Sequence, residues 1–147
     1  MTYIITKNII LEKVKTNDNH IEALFMILSK RKNYQKISFK KLPSFKEHKS
    51  FVKNHPYRMW FLIIKDKKYV GTIYLSKMNE IGIFVIKHLE VIEPLVDFVI
   101  EKYKPLKRKK SIRSENFIIN ISPKDVMFNN IIKDMGAKLI QNTYLLK

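Results

Sequence analysis

The chain contains no cysteine, which excludes disulfides, a thiolate nucleophile and cysteine-based zinc sites. Glycine and proline are also scarce, at three and five positions in 147 residues, so low-complexity and collagen-like chains are excluded. Acid is in short supply: 13 aspartates and glutamates stand against 29 lysines and arginines, for a net charge of +16. No long apolar run exists. The longest, residues 59–64, falls far short of the roughly 18 residues a spanning helix needs, and Lys7 breaks the apolar start before a signal-peptide core can form. No membrane partner is expected, and the cytoplasm is the expected compartment. The four histidines, His20, His48, His55 and His88, lack the spacing of ligands on one helix face, so no metal site is expected. Hydrolase, NTPase and dehydrogenase glycine motifs are missing as well.

What is present is 46% hydrophobic and long enough to bury a core, so residues 1–147 are expected to form one domain. A first strand is expected over residues 9–15. Asn17 to Asn19 then signal a helix start, with Ile21, Leu24, Phe25 and Leu28 at helical spacing. Residues 33–42 read as polar and irregular. Ser44 with Glu47 forms a capping-box pattern for a helix over 45–54, which must stop before Pro56. A meander follows: residues 58–65, the turn Asp66-Lys67, a strand over 69–75 interrupted by Gly71, a polar turn, and a strand over 79–86. A helix is expected over 90–104, ended by Pro105, then a basic loop over 106–113 and a strand over 116–121. The last helix, 124–135, is stopped by Gly136, and residues 137–140 and 143–146 are expected to pair around Gln141-Asn142.

This order, together with YVGTIYLSKMNEIGIFV at the centre and ISPKDVMFNNIIKDMGAKLIQNTYLL at the end, resembles the GNAT superfamily of acetyl-CoA-dependent N-acyltransferases over nearly the whole chain. The resemblance implies an α/β (α+β) domain with a mixed, mostly antiparallel twisted sheet flanked by helices. It also implies a V between the strands at 79–86 and 116–121, where main chain around Ile83, Phe84 and Val85 holds the pantetheine arm of acetyl-CoA. Glu80, at the start of its strand, takes the place of a general base for a small amine acceptor such as an amino sugar. Tyr144 is a second candidate for proton transfer.

The chain departs from the family where the diphosphate should dock. The connection IKHLEVIE contains no glycine to curl around an anion, and Glu90 and Glu93 place negative charge at the positive end of the helix. This turn is expected to reject a diphosphate, with Lys87 and His88 left as point charges. Ile132 stands four residues before Gly136, where the family often carries a proton-donating tyrosine; Asp125 and Ala137 are further departures.

His55, Tyr57, Arg58 and Trp60 form a polar-aromatic cluster suited to an acceptor pocket, with Arg58 to grip an anion. The run Lys107–Lys110 with Arg113 is the densest charge and could hook a 3′-phosphate or a nucleic-acid backbone. It has no interleaved aromatics, so nucleic acid is not the expected partner. Two functional readings stand side by side: an acyl-CoA-dependent N-acyltransferase, and a non-catalytic domain of the same fold that binds an anionic ligand or partner. The oligomeric state, a dimer included, stays open.

Overall fold

The computed structural model describes residues 1–37 and 41–147, so part of the irregular stretch expected over 33–42 lies outside the described residues. Six strands lie in sequence order: β1 (Thr2–Thr6), β2 (Ile9–Lys13), β3 (Met59–Lys65), β4 (Lys68–Leu75), β5 (Glu80–Val85) and β6 (Ile118–Ile119). Every neighbouring pair is antiparallel except β5 and β6, which run parallel. The mixed, mostly antiparallel sheet expected from the sequence is therefore present. Helices α1 (Asp18–Ser29) and α2 (Phe45–Lys53) cover one face; α3 (Ile92–Lys102) and α4 (Val126–Asp134) cover the other.

Alternation along each strand builds two unequal cores. Leu11, Phe61, Ile63, Ile73, Leu75 and Ile81 point to the α3–α4 face and meet Ile92, Leu95, Val99 and Phe128. Trp60, Leu62 and Phe84 point the other way, against Ile21, Leu24, Ile27 and Val52. The smaller core carries polar anchors. Glu12 on β2 accepts from Tyr69 Oη at 2.9 Å and pairs with His20 Nε2 at 2.5 Å, and His20 Nδ1 accepts from the Lys15 amide at 2.9 Å. That backbone contact puts the ring proton on Nε2, where it donates to Glu12 and ties α1 to the sheet.

Local signals place the turns. The Asn17 side chain caps α1 and that of Ser44 caps α2, each accepting an amide from the first turn. Asp66 and Lys67 both take positive φ, the geometry a two-residue hairpin needs to match strand twist. At Gly71 the register slips by one residue, and a Cβ there would lie 2.2 Å from the Phe84 carbonyl oxygen, so both a bulge and a close approach occur. Gly136 ends α4 at φ 91°, and its amide and that of Ala137 return to the Lys133 and Ile132 carbonyls.

Three expectations change. Residues Thr2–Thr6 form an additional edge strand ahead of the first one expected. The strand expected over 116–121 pairs only at Ile118 and Ile119. The closing hairpin over 137–146 does not form: the segment has no ladder bonds among the described residues, and Leu139, Ile140, Leu145 and Leu146 are exposed. An isolated two-stranded ribbon has too little apolar burial to offset its ordering, and this one has no third strand beside it.

Candidate active site

The site begins at an asparagine. Asn79, with φ 62°, sits in the left-handed region that asparagine tolerates and is fully buried. Its side chain donates to the carbonyls of Leu106 (2.9 Å) and Ser114 (2.7 Å) and accepts from the Leu106 amide (2.7 Å). Its carbonyl accepts from the Ile118 amide at 2.9 Å. One residue thus joins the start of β5 to the loop before β6 and fixes the apex of a V.

From that apex the strands part. Pairing runs from Glu80–Ile118 to Ile81–Ile119 and stops. The Glu80 carbonyl points to β4, accepting from the Ser76 amide, whereas that of Asn79 points to β6. Strand alternation then aims the N–H and C=O groups of Ile83 and Val85 away from β4 and into the V. No strand meets them there among the described residues. An unpaired, inward-facing edge of this kind accepts an extended amide-bearing chain.

The α1–α2 side of the V holds a cleft of about 190 Å³. Glu80 and Gly82 line it from β5, Thr72 and Tyr74 from β4, and Tyr57 and Trp60 from the start of β3. Tyr57 and Tyr74 stack with centroids 4.0 Å apart and planes 9° from parallel, and Trp60 meets Tyr57 edge-on at 5.2 Å. Gly82 makes this possible, because a Cβ at that position would lie 2.1 Å from the Tyr74 ring. The Tyr74 hydroxyl reaches Glu80 Oε1 at 3.4 Å. Burial first, and Glu80 second, push both tyrosine hydroxyls upward, so they stay protonated at neutral pH.

Arg31, just beyond α1, closes the far side of the cleft. Its guanidinium lies 5.5 Å from the centroid of Phe84 and donates through Nη2 to the Gln35 carbonyl at 3.2 Å. Its Nε is buried with no hydrogen-bond partner among the described residues. Asp125 caps α4 by accepting the Phe128 amide at 3.4 Å, and burial raises its carboxyl above the usual range.

The far end of β5 is built differently. A single turn at Leu89–Val91 leads into α3, and no side chain of the residue before it caps it. Glu90 occupies this terminus. Its carboxylate accepts its own backbone N–H, the main cause of its lowered pKa, with His88 Nδ1 at 3.3 Å and Lys65 Nζ at 3.6 Å beside it. Pro94 removes a further amide from the first turn of α3. These residues fit a pantetheine arm along β5 but not a diphosphate at its end.

The structure gathers Tyr57, Trp60, Glu80, Ile83 and Phe84 around the cleft, with Val85 on the adjoining floor of the V. His55 sits behind them, its ring 5.0 Å from Trp60. Arg58 does not join: its Nη1 donates to the Lys104 carbonyl at 3.2 Å, after α3 on the opposite face. Tyr144 lies outside the V, 79% exposed in the unpaired terminal segment. Lys87 and His88 sit at the α3 end of β5, while Lys107–Lys110 belong to the loop held at the Asn79 end. The length of β5 separates these two basic groups by roughly 20 Å. Sequence reading missed Arg31, Tyr74 and Asn79. Strand alternation from Trp60 across to Tyr74 could have signalled the second; the other two sit in irregular backbone.

No family model and no curated protein matches the sequence. Solved structures do. A ribosomal L7/L12 alpha-N-protein acetyltransferase, RimL, in complex with coenzyme A, matches with TM-score 0.63 and 13% identity over 91% of this chain and 82% of that one. A domain from Methanocaldococcus jannaschii matches with TM-score 0.68 and 19% identity over 92% and 91%. The microcin C7 self-immunity acetyltransferase MccE, solved with acetyl-CoA and AMP, matches with TM-score 0.57 and 13% identity over 90% and 79%. The chain has the GNAT acetyltransferase fold.

Proposed function

We propose that residues 1–147 act as one cytoplasmic unit that transfers an acyl group from a pantetheine thioester to a small amine. The observation carrying this reading is the unpaired edge of Ile83 and Val85, open beside a cleft that contains a carboxylate. RimL and MccE, which share the fold, were solved with coenzyme A and acetyl-CoA respectively. When bound, acetyl-CoA would supply an activated acyl group; Ile83 and Val85 would hold its arm. Glu80 takes the ammonium proton from the acceptor, directly or through water. Tyr74 and Tyr57, held protonated, orient that carboxylate and the incoming amine. Tyr144 lies outside the V, whereas Asp125 lines it and would be the carboxyl of this chain beside the thioester sulfur, with burial raising it above its ordinary range. The narrower expectation of an amino sugar draws no support from the neighbours.

A second reading rests on Glu90. With its carboxylate seated at the α3 terminus, the domain could instead be a non-catalytic member of the fold that has lost coenzyme A and binds another anionic partner. Calorimetry with acetyl-CoA and acetyl-pantetheine, side by side, separates the two. Transferase activity requires that both bind, and with affinities within about tenfold because the diphosphate adds little. Silence from both at millimolar concentration leaves the binding domain. In an active protein, Glu80→Gln should lower turnover by about 10²–10⁴ without changing acetyl-pantetheine affinity.

A further inference from the structure

Among the described residues, Arg31 carries the buried side-chain polar atom that has no partner. A guanidinium carries five N–H donors and stays charged at any physiological pH. Here one donor meets a backbone carbonyl, the ring of Phe84 lies 5.5 Å away, and Nε is buried without a partner among the described residues. No carboxylate forms an ion pair with it among the described residues. Asp125, which shares the wall of the V, is engaged instead with the Phe128 amide. Burying a charge and a donor without compensation is costly, and a cation–π contact offsets only part of it. Burial accordingly disfavours the charged form of Arg31, and the groups opposing that effect are Tyr74 and Tyr57, both on the cleft wall.

Glu80 stands at the other end of the same cleft. Glu80 and Phe84 share one face of β5, four residues apart, which is about 13 Å along the strand. Arg31 shares the cleft wall with Tyr57, Tyr74 and Glu80, so cation and carboxylate face one cavity.

We propose that Arg31 is an anion-recognition residue for the acceptor, so the cleft selects amines that also carry a carboxylate, as a short peptide does. The proposal rests on reading this cleft as the acceptor site. The amine end meets Glu80 and the aromatic walls; the carboxylate end meets the Arg31 guanidinium where it lines the cleft.

Triglycine and its C-terminal amide are suitable probes, since the pair differs only in the anion. Calorimetry on the wild-type protein should show the acid binding about tenfold to a hundredfold tighter than the amide. Arg31→Met should erase that preference, and Arg31→Lys should keep part of it. Acetyl-pantetheine, titrated into the same samples, reports separately on the β5 edge. Equal affinity of acid and amide for the wild-type protein overturns the proposal, even where acetyl-pantetheine binds. Acid preference without acetyl-pantetheine binding upholds Arg31 and removes the transferase reading instead.

Discussion

The two ends of the V are built to opposite rules. Along the middle of β5, backbone donors and acceptors are left open and side chains play no part in recognition, so sequence drift there leaves the slot intact. At the start of α3 the Glu90 carboxylate takes up its own amide and would have to be displaced by an incoming anion, while the Leu89, Val91 and Ile92 amides already return to backbone carbonyls. A recognition surface made of main chain persists through substitution; one that needs glycine and bare amides is lost by a few changes.

Proline scanning along β5 is the strongest way to break this contrast. Phe84 directs its backbone to β4, so Phe84→Pro should remove a ladder bond and a core side chain together, costing about 3 kcal/mol or more and leaving little folded protein in a urea melt. Ile83 directs its backbone into the V. Ile83→Pro should leave the ladder to β4 whole, melt cooperatively, and weaken acetyl-pantetheine roughly tenfold. Equal loss of folding from both variants would show that the Ile83 edge is not free.

A smaller effect tests the closed end. Glu90→Gln removes the charge from the α3 terminus and should raise the ratio of acetyl-CoA to acetyl-pantetheine affinity by about two- to fivefold. No change in that ratio would mean that the missing glycines, rather than the carboxylate, close the turn.

The smallest effect concerns the cleft wall. Burial lowers the pKa of His48, whose Nε2–H donates to the Ile21 carbonyl at 3.0 Å, and burial also lowers that of His55. The unfolded chain therefore binds more protons than the folded one just below pH 6.5, so stability should fall as pH drops through that window. Thermal melts between pH 7.5 and 5.5 should show the decline, and His48→Gln should flatten it.

Much of this fold could be read from residues with local effects. Asn17, Ser44, Asp66-Lys67, Gly71 and Gly136 each act within a few positions, and each stands where its chemistry implied. What escaped reading depends on partners distant in sequence. Thr2–Thr6 alternates too weakly to declare itself and is a strand because β2 offers an edge. Residues 137–146 carry a hairpin pattern yet find no edge to join. At the site, Glu80 was singled out through the family resemblance and the Tyr57–Trp60 pair through its polar-aromatic clustering, whereas Arg31 takes its place from Phe84, 53 positions later. Arg58 looked equally suited, but its reach to Lys104 depends on where α3 ends.

Asn79 has one more consequence. By clasping Leu106 and Ser114 with a single amide, it closes the intervening segment at its base, as a ring is closed by its setting. Apart from Arg113, whose Nη1 donates to the Lys77 carbonyl of the β4–β5 turn at 3.1 Å, the eight bonds of chain between them could be lengthened or shortened at a small entropic cost. Variation can accumulate in that ornament while the geometry at its root stays put.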